Sequence, residues 1–379
     1  MIYMFKTNKI STYISCLRQF SSYKKIILLN KNKKATKVNK DFYLRNIKIK
    51  PSQFLLILSS GSWHNSLINS FKIIFGNNLS HFDYRSINIT PKDLYSIFGF
   101  FHRNIIEKKI ENIIIKNDIK VIGGYFDGFL LRPSFLKKIK LKYNLRMFNI
   151  SFDDRQSWDL KVFDLNTTYQ NLKSISECFD LFFTSSKITI DWHLRENGNP
   201  IYFPEGGDTS IYKCLDSKKR DKIIFFGSKY GNRQKIINYL KKCGINIECY
   251  GSGWNKKGKL ETKDIMKIID QAFCVLGDGY VGNMDMITTL KARDFEIPMT
   301  GIPYLTSFHH ELSQYYSINK DIWCYNHYTE IPLLIKQIKN MREIEFERLR
   351  LNAHNFRIKN SWVSRISFIK NKIKVEITE

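Results

Sequence analysis

Two rhythms of apolar residues alternate along the chain. Around QFLLILSSGSW an unbroken apolar run predicts a buried strand from Phe54 to Leu58, a turn over Ser59 to Ser62, and a helix from His64 to Phe75. A short strand near His81 to Arg85, a helical stretch through Ile115, and strands in IKVIGGYFDG, LRMFNISFDDRQSW and FDLFFTSS follow. After Asp221 the alternation restarts, with strand KIIFFG, a helix from Asn232 to Lys242, strand INIECYG, a helix from Thr262 to Asp270, strand AFCVLG, a helix carrying Lys291, Arg293 and Glu296, and strand IPYLT. Strands alternating with helices imply parallel βαβ units whose sheets are covered on both faces. Repetition of that pattern in both halves predicts an α/β chain of two facing Rossmann-like domains with a cleft between them as the site. From Tyr328 to Ile373 the pattern is helical, with Leu333, Leu334, Ile338 and Met341 on one stripe and Phe346, Leu349, Ala353 and Phe356 on another.

The segment NPIYFPEGGDTSIY concentrates Pro200, Pro204, Gly206 and Gly207 and reads as a crossing between domains. The expected organisation is a basic N-terminal arm over 1–50, an N-terminal acceptor domain over 51–205, a C-terminal donor domain over 206–360, and a C-terminal helix over 361–379. At 379 residues and 43% hydrophobic, the chain has material for two packed cores and lacks the composition of a disordered protein. No apolar run reaches the roughly 20 residues of a membrane-spanning helix.

Net charge is +26, and the first 40 residues supply ten Lys or Arg and no acid. Lysines spread along the whole length, beside many Ile and Asn, fit a solvated basic surface better than a nucleic-acid face. The first 40 residues fit a loosely ordered basic segment better than a targeting presequence, since Arg18 is their one arginine and no secretory pattern follows. Contact with anionic membrane stays open, and the expected location is cytoplasmic, peripheral to the inner face. Seven cysteines form no CxxC pair and no zinc spacing, which suits reduced thiols.

Candidate chemistry collects at predicted strand ends. In FFGSKYGNR, Gly227 ends a strand, Gly231 opens a helix and Arg233 follows, so main-chain amides and a guanidinium can meet a phosphate; a surface arginine opening an ordinary helix fits the same pattern. Lys291, Arg293 and Glu296 share a short helix that stops at Pro298, turns at Gly301 and feeds a strand, although a simple Arg293–Glu296 ion pair is equally consistent. Gly61 lies in the turn after the first strand, where backbone can approach a ligand closely. Asp127, Asp153 and Asp154 follow strands and suit either a general base on an acceptor hydroxyl or helix caps. His64 stands beside the first turn, while His309 and His310 lack a third metal ligand. No Asp-x-Asp triplet occurs, and neither a metal nor another cofactor is expected.

The segments KARDFEIPMTG, FFGSKYGNR and GSGW, in that family's order, resemble the GT-B glycosyltransferases, most of all the CgeB-like spore-maturation group, over roughly residues 50–370. The resemblance implies a GT-B fold, a nucleotide-sugar donor bound by Gly227, Arg233, Lys291, Arg293, Glu296, Gly301 and Gly61, and protein cations in place of a metal. It also implies that Glu296 accepts hydrogen bonds from the nucleotide ribose and that the last helix returns to the first domain. Many relatives carry a second glutamate eight positions before the first; here Thr288 stands there. The expected activity is transfer of a sugar to a hydroxyl of a glycan, surface polymer, lipid or protein. Alternatives are a non-catalytic basic module binding anionic membrane or nucleic acid, nucleic acid being disfavoured, and a nucleotide-sugar epimerase of the same architecture.

Overall fold

The computed structural model describes residues 44–378 apart from 62–63, 97, 127, 164–166, 217–219, 255–261 and 282–283. The chain divides into two compact units, Met1–Pro204 with Ile366–Glu379, and Glu205–Arg365. The first contains β1 (Ile47–Ile49), β2 (Phe54–Ile57), α1 (His64–Phe75), β3 (Ser80–Phe82), α2 (Gly99–Lys116), β4 (Val121–Gly124), α3 (Pro133–Lys142), β5 (Arg146–Ser151), α4 (Asp154–Ser157), β6 (Lys161–Phe163), β7 (Thr168–Gln170), β8 (Leu181–Thr184), α5 (Lys187–Arg195) and β9 (Pro200–Tyr202). Six of these strands form a parallel sheet in the order β3-β2-β4-β5-β8-β9. Strands β2, β4 and β8 are buried at every residue, because helices cover both faces of the sheet. Helix α1 turns Leu67, Ile68, Phe71 and Phe75 inward, a spacing of one or two turns that keeps them on one side. Phe75 stacks on Phe54 with ring centroids 4.4 Å apart.

The second unit contains β10 (Lys222–Phe226), α6 (Arg233–Lys242), β11 (Ile247–Tyr250), α7 (Thr262–Ile269), β12 (Ala272–Leu276), β13 (Tyr280–Val281), β14 (Met284–Thr288), α8 (Arg293–Glu296), β15 (Tyr304–Ser307), β16 (Trp323–Tyr325), α9 (Ile331–Lys339) and α10 (Glu343–Asn360). Its five-stranded sheet is parallel in the order β11-β10-β12-β15-β16. Beyond α10 the chain runs through α11 (Trp362–Lys372) into β17 (Val375–Ile377), which pairs with β1 in parallel, Ile47 opposite Val375.

Several expectations change. The helical tail is three helices and a strand, and Leu333 is 62% exposed because α9 turns Ile331, Leu334, Ile335 and Ile338 to the core instead. Residues 284–288 form the antiparallel partner of β13, so the expected helix before Pro298 shrinks to Arg293–Glu296 and Lys291 precedes it. The strand expected at His81 to Arg85 ends at Phe82, since Asp83 caps a turn by accepting from the Arg85 amide. Among the described residues six cysteines are free thiols, and no helix is long and apolar enough to cross a membrane.

Candidate functional site

In an open parallel sheet, ligands bind beyond the carboxyl ends of the strands where the strand order reverses. In the second unit that point lies between β10 and β12, because β11 continues on one side of β10 and β12 on the other. Gly227 follows β10 with φ of +144°, a conformation that L side chains rarely adopt. A Cβ at Gly227 would stand 2.7 Å from Arg293 Nη1 and 2.9 Å from Arg233 Nη1, so two guanidinium groups occupy the space that a side chain would need.

The two arginines are held differently. Arg233 is 4% exposed; its Nε donates to Asp278 Oδ2 at 3.0 Å and its Nη1 to the Ser228 carbonyl at 2.9 Å. Asp278, just past β12, also accepts from the Tyr280 amide at 2.9 Å. Arg233 therefore spans the reversal point as half of a buried ion pair, which ties it to structure rather than leaving its charge open. Arg293 is half-buried and donates through Nη1 to the Phe226 carbonyl at the end of β10. A main-chain carbonyl leaves its full positive charge uncompensated by that bond.

Short as it is, α8 is fixed at several points. Asp294 is buried and accepts from the Lys291 amide at 2.7 Å and from Tyr304 Oη at 2.7 Å, while Tyr316 donates to its carbonyl. Loss of solvent raises the Asp294 carboxyl above its ordinary range, against these hydrogen bonds and the nearby cations. Glu296 lies three residues after Arg293 and is half-buried; desolvation pushes its carboxyl up to about 7, offset by Arg293 and by a hydrogen bond from Tyr212. Lys291 is half-buried just before the helix, and Thr288 donates to the Phe308 carbonyl at 3.1 Å.

Gly301 lies elsewhere. It adopts φ of +76° after the 298–300 turn, at the amino end of β15, and a Cβ there would approach Arg350 Cα of α10 at 3.1 Å. Its glycine is explained by helix packing. Beside it opens a cavity of about 550 Å³ lined by Ala272, Phe273, Ile302, Pro303, Ile338 and Phe346, among others. That cavity sits at the amino ends of the strands, away from the reversal point.

In the first unit the order reverses between β2 and β4. Gly61 and His64 follow β2, and Tyr125 follows β4. His64 Nδ1 lies 2.9 Å from the Ser59 carbonyl, and burial lowers its pKa, with the Ser59 contact opposing. Its ring is 6.0 Å from that of Tyr125, whose hydroxyl donates to Asp153 Oδ2 at 3.0 Å. Asp153 is exposed, at the end of β5. Asp154, by contrast, is 2% exposed: Oδ2 takes Thr189 Oγ1 and His193 Nε2, each at 3.0 Å, and His193 Nδ1 in turn lies 2.8 Å from Ser176 Oγ. Asp154 is thus locked beneath the rim rather than open at it. Asp127 lies outside the described residues. Among those described, no three His, Cys, Asp or Glu side chains gather as a metal site.

Sequence reasoning missed Tyr125, Tyr212, Asp278 and Asp294. Asp294 sits inside the quoted RDFE run and Asp278 directly after the AFCVLG strand, so position offered a hint; their partners are distant in sequence and did not.

Residues 233–370 match the profile of a family described as glycosyl transferase-like. Among solved structures, the chain is similar to sucrose-phosphate synthase of Thermosynechococcus elongatus, with 8% identity and a TM-score of 0.59 over 85% of this chain and 99% of that one. It is also similar to Anabaena HepE in complex with UDP and glucose, with 9% identity and a TM-score of 0.56 over 85% and 99% of the two chains. A glycosyltransferase from Rickettsia africae aligns at 10% identity and a TM-score of 0.56, covering 85% of this chain and 97% of its own. The fold is GT-B. Comparison with curated proteins gives no match. In GT-B terms, Glu205–Arg365 is the unit that carries Gly227, Arg233, Lys291, Arg293 and Glu296, and most of the glycosyl transferase-like match falls within it.

Proposed function

We propose that the protein is a glycosyltransferase that moves a sugar from a nucleotide-sugar donor to an acceptor hydroxyl, with protein cations rather than a metal facing the departing diphosphate. The observation that carries this reading is the meeting of Arg233 and Arg293 at the side-chain-free face of Gly227, on the strand-order reversal of the second unit. Arg293, whose charge is not spent on a carboxylate in its β10 bond, is the group assigned to the diphosphate. Charge builds on that leaving group as the glycosidic bond breaks, and a preorganised guanidinium stabilises it without reorganisation at the moment of reaction. Arg233, clamped to Asp278, positions the Gly227 loop, and Lys291 adds a second cation beside α8. Glu296, which Tyr212 braces, is the group assigned to the ribose hydroxyls in this reading.

On the acceptor unit, Asp153 with Tyr125 and His64 forms a candidate constellation among the described residues at the strand reversal, with Asp153 as the base on the incoming hydroxyl. The acceptor class stays as wide as glycan, surface polymer, lipid or protein. HepE holds UDP, which makes uridine nucleotides the first donors to try. The reading extends to membership of the CgeB-like group and to a cytoplasmic protein working peripherally at a membrane.

The test is calorimetric titration with a panel of nucleoside diphosphates and nucleotide sugars. Glu296→Ala is expected to weaken the diphosphate that binds best by at least ten-fold, in line with about 1.5–3 kcal/mol for a hydrogen bond to a charged group, with the fold intact by circular dichroism. Equal affinity of mutant and wild type would remove Glu296 from the site.

A further inference from the structure

Helix α2 is apolar on two sides, and water covers one of them. Ile106, Ile110 and Ile114 are fully buried against the first unit's core. Phe98, Phe101 and Ile105, spaced as one helical stripe, are 56%, 54% and 48% exposed, and Tyr95 in the turn before the helix is 51% exposed. A surface helix ordinarily keeps a polar outer face. The neighbouring hairpin strand β6 ends in Phe163, which is 69% exposed.

One buried side chain holds this surface together. Arg103, with no exposure, donates to the carbonyls of Leu94 at 2.8 Å, Phe129 at 3.4 Å and Phe163 at 2.6 Å. The turn before α2, the loop after β4 and the β6 hairpin are thereby pinned to a single guanidinium, so the exposed aromatics ride on a fixed platform.

Charge on the platform is predominantly positive, although Asp93 in the turn before α2 adds one carboxylate, bonded to the neutral amide and hydroxyl of Thr90. Both carboxylates of α2 are taken up, Glu107 by Arg132 and Glu111 by Lys138 and Lys142. Lys108, Lys109 and Lys116 on the helix, and Lys92 before it, are exposed. We propose that this face docks on an anionic lipid bilayer, with Phe98, Phe101 and Ile105 entering the headgroup and upper acyl region and the lysines meeting lipid phosphates. Aromatic and aliphatic side chains flanked by lysine are the chemistry of an interfacial helix. A symmetric second copy fits worse, because it would set Lys108 and Lys109 against their own kind. Single-stranded nucleic acid fits worse too, since Ile105 offers no ring for a base to stack on. The proposal gives the peripheral placement above a specific surface and stands apart from the donor chemistry.

The experiment is co-sedimentation of the full chain with vesicles of phosphatidylcholine alone or mixed with phosphatidylglycerol. Wild type is expected to bind the mixed vesicles only, and more weakly as salt rises. Phe98→Ser with Phe101→Ser, and separately Lys108→Glu with Lys109→Glu, should each weaken binding at least ten-fold while nucleoside diphosphate affinity stays unchanged; Phe98→Trp with Phe101→Trp should retain it. Binding that survives both paired substitutions, as it would if residues 1–40 alone met the lipid, overturns the proposal. So does equal binding to neutral vesicles, displacement of the protein from vesicles by an oligonucleotide, or a wild-type dimer that the serine variant separates.

Discussion

Glu296 is a site of pH dependence in the donor unit. Burial lifts its carboxyl from an ordinary 4.5 to about 7, so the folded protein holds a proton there that the unfolded chain would release. A carboxyl shifted upward costs stability as pH climbs from its unfolded value towards its folded one, and the cost is complete above about 7. Two outcomes follow from that sign. Nucleoside diphosphate affinity should rise between pH 6 and 8, because ribose hydroxyls donate better to the ionised group, and Glu296→Gln should flatten that rise. The same variant should melt higher than wild type above pH 7 and no higher near pH 4, as thermal scans across that range would read. The residue itself was legible from its place in FEIPMTG; its altered acidity was not, because Tyr212, which braces it, comes from a segment that reads only as a crossing.

At the scale of elements, α6 and β12 are joined across the sheet by Arg233 and Asp278, 45 positions apart. Breaking a buried pair strands a charge, so Arg233→Met alone should destabilise the protein by about 3–5 kcal/mol, and adding Asp278→Leu should restore most of it. Denaturation midpoints for the two variants and wild type decide this. An effect confined to donor affinity would instead return Arg233 to the diphosphate. The inner strands of both sheets could be read from apolar runs because parallel strands buried on two faces leave an uninterrupted signature, as in FLLI and AFCVL, whereas the three-residue edge strands β9, inside the segment read as a crossing, and β16 were missed. The β13–β14 hairpin and the short α8 could not. Their length is set by the hydrogen bonds of Asp294 and by the pairing of Tyr280 with Thr288, which local periodicity does not encode.

At the scale of the molecule, alternation repeated in the two halves made two α/β units legible. The contribution of residues 366–379 to the first unit came from the family resemblance alone, since a helical stripe shows that it packs but not on what. The pairing of β17 with β1 makes that contribution testable. Removing residues 375–379 should leave amide exchange in β10 and β12 unchanged while raising it at Ile47–Ile49, as mass spectrometry would report.

Because β17 and the end of α11 follow the whole of Glu205–Arg365 in the chain, synthesis imposes an order on assembly. While the polypeptide is still growing, Glu205–Arg365 has every strand it needs before its sister unit does, and the earlier-made half waits, one pairing short, until Val375–Ile377 has emerged.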